Sequence, residues 1–265
     1  MTDGVLDFNV REQRVFNTWS ESTPTRSEAE RIKSWLDAGL VTAADLEYVN
    51  TVVEPERLKA AQGQGISALQ YAMSRTTGLV LDLCAGMGSL YRNPAFLARP
   101  PAGLTVVTDL SRFALTAVRK RLADTPAADR CAFLACDARQ LPLADKTVSL
   151  AVSVAGFQNA ESASAMLEET RRVLAPGARL FTLCVFVEDD SRSLRLAEQI
   201  GCGELATMQR MNEVLDRTGF GNILVDSLLN DRVHERGDLM PLSGDRSEIA
   251  LVSAVRRDAD GRGTA

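Results

Sequence analysis

Residues 79–89 read LVLDLCAGMGS, a short apolar run that passes directly into a turn containing Gly86 and Gly88. Glycines in such a turn let the chain bend tightly and let a ligand approach the backbone without meeting a Cβ atom. Cys84 precedes both glycines, and we expect it to adopt a negative φ, because a Cβ disfavours the left-handed region. The stretch predicts a strand followed by a turn into a helix. Ligand binding and tight packing explain its glycines equally well.

Apolar runs alternate with helical patterns from this stretch onward, which is typical of βαβ units and a parallel sheet. The last two apolar runs are separated only by a polar segment, so we predict that they form an antiparallel pair at one edge. The sequence thus predicts an α/β fold with a doubly wound, seven-stranded, mostly parallel sheet and an antiparallel last strand. The predicted strands are 79–84, 104–109, 131–137, 148–154, 178–186, 222–229 and 248–255, and the predicted helices are 111–123, 162–175 and 203–219.

The N-terminal part of the chain has a different pattern. Residues 1–75 are helical in character, with capping signals at Ser27 and Thr42 and no β-branched alternation. We expect them to form a helical layer that covers the site as a lid. Residues 76–257 then form the α/β domain, and the polar residues 258–265 form a disordered tail.

Composition excludes several classes of partner. The chain has 265 residues, with 30 basic and 35 acidic side chains and a net charge of −5. A basic patch or stripe is typical of nucleic-acid binding, so no nucleic acid is expected. No apolar run approaches the roughly 18 residues of a membrane span, and the N-terminus lacks signal-peptide features, so we expect a cytoplasmic protein that does not bind membranes. Five scattered cysteines and a single histidine predict no metal site.

Three acids mark the predicted sheet edge where open α/β folds bind ligands. Asp82 lies on the first predicted strand, Asp109 ends the second and Asp137 ends the third. Asp109 can accept both hydrogen bonds of a ribose diol, while Ser111 supplies the N-cap of the next helix. Asp137 can accept a hydrogen bond from the exocyclic amine of adenine, and the Ala138 N–H can donate to a ring nitrogen. These positions predict a nucleoside site.

A nicotinamide dinucleotide is the main alternative ligand, because it also uses a glycine turn and an acid that binds ribose. Tyr91 stands where the dinucleotide motif has its third glycine. Asp82 would in addition lie near a pyrophosphate, which favours backbone donors over a carboxylate. Both features disfavour the dinucleotide.

The chain resembles the class I S-adenosylmethionine-dependent methyltransferases from about 79 to 256. The resemblance rests on the motifs LVLDLCAGMGS (79–89), TDLS (108–111), CDARQLPLAD (136–145) and RRVLAPGARLFTLCV (171–185), and on the spacing between them. It implies a Rossmann-like methyltransferase fold and S-adenosyl-L-methionine as cofactor. It also implies that Asp82 and the backbone of Cys84, Ala85, Gly86 and Gly88 hold the methionine part, that Asp109 binds the ribose, that Leu110 packs on the adenine, and that Asp137 and Ala138 bind the adenine edge.

The same resemblance implies methyl transfer to a small molecule, because the motifs of nucleic-acid methyltransferases are absent from AGFQNAE (155–161). The acidic charge and this absence lead us to expect a role in secondary metabolism. The alternative is a methyltransferase-like protein that catalyses a non-methylating reaction or serves as a partner subunit. Nothing in the sequence indicates the oligomeric state.

Few side chains are candidates for contact with the reacting groups. Methyl transfer from a sulfonium depends mainly on alignment, so a general base is optional. His234, the one imidazole, and Gln158 are the predicted catalytic residues, although His234 also fits a solvated loop. Phe157 and Asn159 are predicted to position the substrate, with core packing and helix capping as alternatives. Tyr71, in the N-terminal layer, is predicted either to contact the cofactor or to pack on the sheet.

Overall fold

The computed structural model describes residues 4–8, 55–160, 162–199, 201–231, 242 and 244–258. The strands are β1 (Val5–Asp7), β2 (Leu79–Leu83), β3 (Thr105–Asp109), β4 (Cys131–Ala135), β5 (Val148–Val154), β6 (Leu174–Val187), β7 (Phe220–Asp231) and β8 (Ser247–Arg256). The α-helices are α1 (Pro55–Ser74), α2 (Pro94–Leu97), α3 (Arg112–Leu122), α4 (Ala163–Val173), α5 (Arg192–Gln199) and α6 (Met208–Arg217).

All eight described strands form a single sheet in the order β1-β4-β3-β2-β5-β6-β8-β7. Neighbouring strands are parallel from β1 to β6, whereas β8 runs antiparallel to both β6 and β7. The predicted mostly parallel sheet with an antiparallel pair at one edge is therefore confirmed. All seven predicted strands are present, with β6 beginning earlier than expected, at Leu174.

The N-terminus is where the prediction of the fold is wrong. Val5–Asp7 form β1, which pairs in parallel with β4, so the sheet has eight strands and residues 5–7 are not helical. A strand of three residues is too short to show an alternating pattern, and Leu6 in it is exposed. Residues 9–54 of the predicted helical layer and residues 259–265 of the predicted disordered tail lie outside the described residues.

Helices cover both faces of the sheet, as a doubly wound fold requires. Apolar side chains of α1, α2 and α3 pack on one face, and those of α4 and α6 pack on the other. In α6, Met211, Val214 and Leu215 share one buried face at helical spacing. The central strands β2 and β3 are buried along most of their length, because helices cover both of their faces.

Helix α1 lies along a face of the sheet. Arg57, near its start, pairs with Asp231 at the end of β7 (2.5 Å), while its C-terminal end leads into the start of β2. Leu69 and Met73 are fully buried against the sheet. The described part of the predicted lid is therefore a layer of the core that packs on β5, β6, β7 and β8, in one half of the sheet. Among the described helices, none combines the length and apolar character needed to cross a bilayer.

The topology fixes where a ligand can bind. Strand β2 lies between β3 and β5, and the chain winds outward from β2 in both directions. The loops that follow β2 and β5 therefore diverge and leave a crevice at the carboxyl edge of the sheet, which is the usual ligand site of such folds.

Candidate functional site

The turn after β2 is left-handed at three of its residues. Cys84, Gly86 and Gly88 have φ values of 54°, 51° and 73°. In this arrangement Ala85 N–H donates to Thr108 O at the end of β3 (2.9 Å). The negative φ expected for Cys84 is wrong, since the chain reverses at Cys84 itself. A left-handed non-glycine residue costs about 1–2 kcal/mol, so the surrounding packing must hold this turn in place.

The loop after β5 supplies that packing. A Cβ added at Gly156 would lie 2.5 Å from Cys84 Cβ and 2.6 Å from Ser153 Oγ, so only glycine fits there. Ser153 Oγ also donates to Leu83 O (2.9 Å). The two loops that border the crevice are thus locked together at its floor.

Asp109 joins the β2 turn to β3. Its Oδ2 accepts from Gly86 N–H and its Oδ1 from Ser111 N–H, both at 2.8 Å. Burial raises the pKa of Asp109, while the backbone hydrogen bonds from Ser111, Gly86 and Leu110 lower it. Ser111 caps α3 by accepting from Ala114 N–H, as expected. A carboxylate has about four acceptor sites, so these three backbone donors leave Asp109 acceptor capacity for a further donor such as a ribose hydroxyl.

Asp82 is the most deeply buried acid of the site, with 1% of its surface exposed. Burial raises its pKa to about 7, and the charge of Asp109 also raises it. The nearby Tyr91 hydroxyl lowers the pKa. Among the described residues, Asp82 Oδ2 and Tyr91 Oη are buried and have no hydrogen-bond partner. A buried acceptor of this kind suits a cationic or donor group of a ligand.

Asp137 has a partner that the sequence did not reveal. Arg139 Nε donates to both of its carboxylate oxygens (3.2 and 3.1 Å), and Arg139 N–H donates to Oδ1 (2.9 Å). The only available signal was the order Asp-Ala-Arg directly after β4. Ala138 is buried beside this pair, and Leu110 at the end of β3 is half-buried.

The three predicted acids lie at the same edge of the sheet, at or near the ends of the adjacent strands β2, β3 and β4. Burial raises the pKa of the Cys84 thiol well above its ordinary range, and the charges of Asp109, Asp82 and Asp137 all raise it further. Cys84 thus feels all three carboxylates, which the topology places at the ends of three adjacent strands. Their shared neighbourhood includes the half-buried backbone of Ala85 and Gly86.

The residues predicted to act on the substrate have structural roles instead. Phe157 is completely buried in the core on the α4 face. Gln158 Oε1 accepts from Val185 N–H (2.8 Å), and its Nε2 donates to Val185 O (2.7 Å) and Leu205 O (3.1 Å). Asn159 Nδ2 donates to Ala155 O (2.9 Å). The catalytic role predicted for Gln158 is corrected accordingly, because its amide is fully engaged with backbone.

Two further predicted residues do not join the crevice. Tyr71 is 67% exposed and lies near the C-terminal end of α1, two positions from Leu69 and Met73 and so on the opposite side of the helix. It therefore points to solvent at the far end of the sheet, and its predicted contact with the cofactor is corrected. His234 lies outside the described residues.

Residues 80–177, which include the glycine turn and all three acids, match the family model of a methyltransferase domain. Over these residues the chain is similar to the class I S-adenosylmethionine-dependent methyltransferases. The methyltransferase domain thus contains the whole described crevice. The resemblance inferred from the sequence motifs is confirmed.

Curated relatives of this chain include the ubiquinone/menaquinone biosynthesis C-methyltransferase of Paracoccus denitrificans. The two are 36% identical over 104 residues, which cover 39% of this chain and 41% of that relative. The chain therefore spans less than half the length of the first curated relatives that it matches.

Solved structures share the fold of this chain at low sequence identity. Phosphoethanolamine N-methyltransferase 2 of Haemonchus contortus, in complex with phosphomonomethylethanolamine and S-adenosylhomocysteine, aligns with a TM-score of 0.56 and 18% identity over 74% of this chain and 53% of that one. The (4+2)-cyclase SpnF aligns with a TM-score of 0.57 and 17% identity over 72% of this chain and 79% of that one.

Replacing Gly156 by alanine should destabilise the protein by about 1–3 kcal/mol, because the new methyl group would overlap Cys84 Cβ and Ser153 Oγ. Thermal unfolding measures the loss. Cys84→Gly in the same background should restore part of it, since one of the two overlaps disappears.

Gly63→Ala is the matched control for this substitution, because a Cβ at that exposed position in α1 meets nothing within 4 Å. It should stabilise the protein by about 0.5–1 kcal/mol through helix propensity. Equal stability of the Gly156→Ala and Gly63→Ala variants would contradict the packing of Cys84 on Gly156.

The raised pKa of Asp82 predicts how stability depends on pH. In the unfolded chain Asp82 loses its proton near pH 3.8, whereas in the folded protein it keeps the proton up to about pH 7. The protonated form therefore stabilises the fold fully below pH 3.8, and this stabilisation is lost as the pH rises to 7. The whole loss is on the order of 4 kcal/mol. The asparagine of Asp82→Asn cannot ionise. The free energy of unfolding of this variant, relative to that of the wild type, should therefore increase by about 2–3 kcal/mol from pH 5 to pH 8.

Urea unfolding of both proteins at the two pH values measures this gain. The exposed Asp129→Asn serves as the control and should track the wild type at both. A difference between wild type and Asp82→Asn that does not change with pH would show that Asp82 has an ordinary pKa.

Proposed function

We propose that this chain transfers a methyl group from S-adenosyl-L-methionine to a small-molecule acceptor, as a cytoplasmic enzyme of secondary metabolism. The observation that carries the proposal is the gathering of Asp82, Asp109 and Asp137 around the turn at Cys84, where the sheet topology opens a crevice. Three carboxylates at such an edge suit a ligand with an ammonium group, a ribose and an adenine.

The donor and acceptor groups of the crevice fit that cofactor. Asp82 Oδ2, which has no hydrogen-bond partner among the described residues, suits the ammonium of the methionine part, and the remaining acceptor capacity of Asp109 suits a ribose hydroxyl. In this proposal Leu110 packs on the adenine, while Asp137 and the Ala138 N–H bind its polar edge. Gly86 and Gly88 give the turn its positive φ values, and in this proposal the backbone of the turn holds the methionine part.

When bound, the cofactor would supply a methyl group attached to a positively charged sulfur. The thioether that remains after transfer is a good leaving group, so the donor is already activated. The protein therefore contributes mainly by binding and alignment. In the described part of the crevice the titratable side chains include the three acids, Cys84, whose pKa is raised, and Arg139, which pairs with Asp137. This set favours an acceptor atom that is nucleophilic without a strong protein base.

Two acceptor classes follow from different observations. The acidic net charge of −5 favours a small molecule over nucleic acid, and we place that molecule in secondary metabolism. The curated relatives are named for C-methylation in ubiquinone and menaquinone biosynthesis, which makes a quinone precursor ring the second class.

Calorimetry tests the cofactor. The wild-type protein should bind S-adenosylmethionine and S-adenosylhomocysteine and should not bind a nicotinamide dinucleotide. Asp109→Ala should weaken binding by at least about tenfold, because two hydroxyls lose a charged acceptor. Asp129→Ala, which removes an exposed acid outside the crevice, should bind like the wild type. Tight dinucleotide binding, or no binding of any nucleoside, would overturn the proposal.

Transfer itself needs a separate measurement. We expect label from methyl-labelled S-adenosylmethionine to appear in one of a panel of phenols, amines and quinone precursors, and to disappear with Asp109→Ala. Cofactor binding without transfer to any acceptor would favour the alternative, a non-methylating enzyme or a partner subunit. The cyclase SpnF is a precedent for this fold under a name other than methyltransferase.

A further inference from the structure

Arg139 is an arginine at the crevice that the proposed cofactor contacts leave without a role. It lies two residues after Asp137, in the loop that follows β4. Its Nε donates to both carboxylate oxygens of Asp137, at 3.2 and 3.1 Å, and its backbone N–H donates to Oδ1 at 2.9 Å. An aspartate carboxylate normally rotates over a broad range about its last bond, and three contacts from one residue restrict that rotation. Arg139 therefore fixes the plane in which the Asp137 oxygens lie.

Backbone hydrogen bonds hold the start of the loop that carries Arg139. Cys136 N–H donates to Asp109 O at the end of β3 (2.9 Å). Gln140 N–H donates to Asp137 O (2.9 Å) and closes the turn that contains Arg139. The acid proposed to bind adenine is thus tied through backbone to the acid proposed to bind ribose.

Helix α4 holds the other side of the same loop. Leu141 N–H donates to Glu169 Oε1 (2.7 Å), and Arg172 Nη2 donates both to Leu141 O (3.0 Å) and to Glu169 Oε1 (2.7 Å). The Leu141 side chain is also buried in the core on the α4 face. The loop is therefore anchored before and after Arg139, and its backbone keeps the guanidinium beside the Asp137 carboxylate.

We propose that Arg139 is a positioning residue that orients the Asp137 carboxylate toward the exocyclic amine of the cofactor's adenine, and so sets how strongly the site prefers adenine over a base without that amine. This inference rests on the proposed function, in which Asp137 binds the polar edge of the adenine. An acceptor that is already oriented binds its donor more tightly, because no side-chain freedom is lost on binding. A planar guanidinium can impose that orientation, whereas a lysine ammonium is a point charge.

Calorimetry with two forms of S-adenosylhomocysteine tests this directly. One is the natural compound, and the other is its purine riboside analogue, in which hydrogen replaces the exocyclic amine and the ring nitrogens are unchanged. The wild type should bind the natural compound at least about tenfold more tightly, as one hydrogen bond to a charged group provides. In Arg139→Ala this preference should fall to about threefold or less, because only the affinity for the natural compound decreases. The Arg139 side chain is partly exposed, so the variant should fold.

Two further variants separate orientation from charge and from general effects of removing an arginine. Arg139→Lys keeps a positive charge beside Asp137 but loses the planar donor, so its preference should match that of Arg139→Ala. Full recovery of the wild-type preference in Arg139→Lys would overturn the positioning role. Arg130→Ala is the matched control, because Arg130 is an exposed arginine at the other end of β4 that donates to Ala102 O (2.9 Å). This variant should bind both compounds like the wild type.

Removal of Asp137 completes the test. In Asp137→Ala the preference should vanish, and adding Arg139→Ala should change it no further. An equal loss of affinity for both compounds in Arg139→Ala, or an unchanged or larger preference, would overturn the inference. Equal binding of the two compounds by the wild type would also overturn it and leave the proposed function standing. Failure of the wild type to bind either compound would instead sink the proposed function.

Discussion

The hydrogen bond from Gly86 N–H to the Asp109 carboxylate joins the turn after β2 to the end of β3, and the shape of the crevice depends on it. The bond forms only because the backbone turns left-handed at Cys84, against the preference of a residue with a side chain. Gly156 accommodates that side chain from the β5 loop. Local strain in one turn is thus held by contacts from two neighbouring strands, as is common where a protein forms a binding site.

Much of this architecture follows from periodicity and strand-end chemistry. Seven apolar runs of strand length, alternating with amphipathic segments, suffice for a parallel sheet, and the carboxyl ends of its strands must then share an edge. The acids Asp82, Asp109 and Asp137 could be placed together for that reason. The capping role of Ser111 was predicted as well, because a serine directly before an amphipathic helical segment can accept a hydrogen bond from a backbone N–H of the first helical turn.

The rest depended on tertiary contacts that no local pattern encodes. Strand β1 is too short to alternate, and the backbone conformation of Cys84 is imposed by its partners. Gln158 was predicted to be catalytic because it is a polar residue at the carboxyl edge of the sheet. Its amide instead donates to Val185 O in β6 and to Leu205 O in a short turn after α5. The sequence did not predict that Arg139 pairs with Asp137 or that Tyr91 lies near Asp82, because these contacts depend on the tertiary fold.

The position of β8 between β6 and β7 has a consequence for biosynthesis. Because β7 pairs only with β8 among the described strands, its backbone groups have no partner until the last strand has emerged from the ribosome. Helix α1 packs on β6, β7 and β8, so an early segment of the chain also waits for a late one. Such long-range pairing slows folding and leaves a strand edge exposed during translation, which makes this side of the sheet the natural client surface for a chaperone.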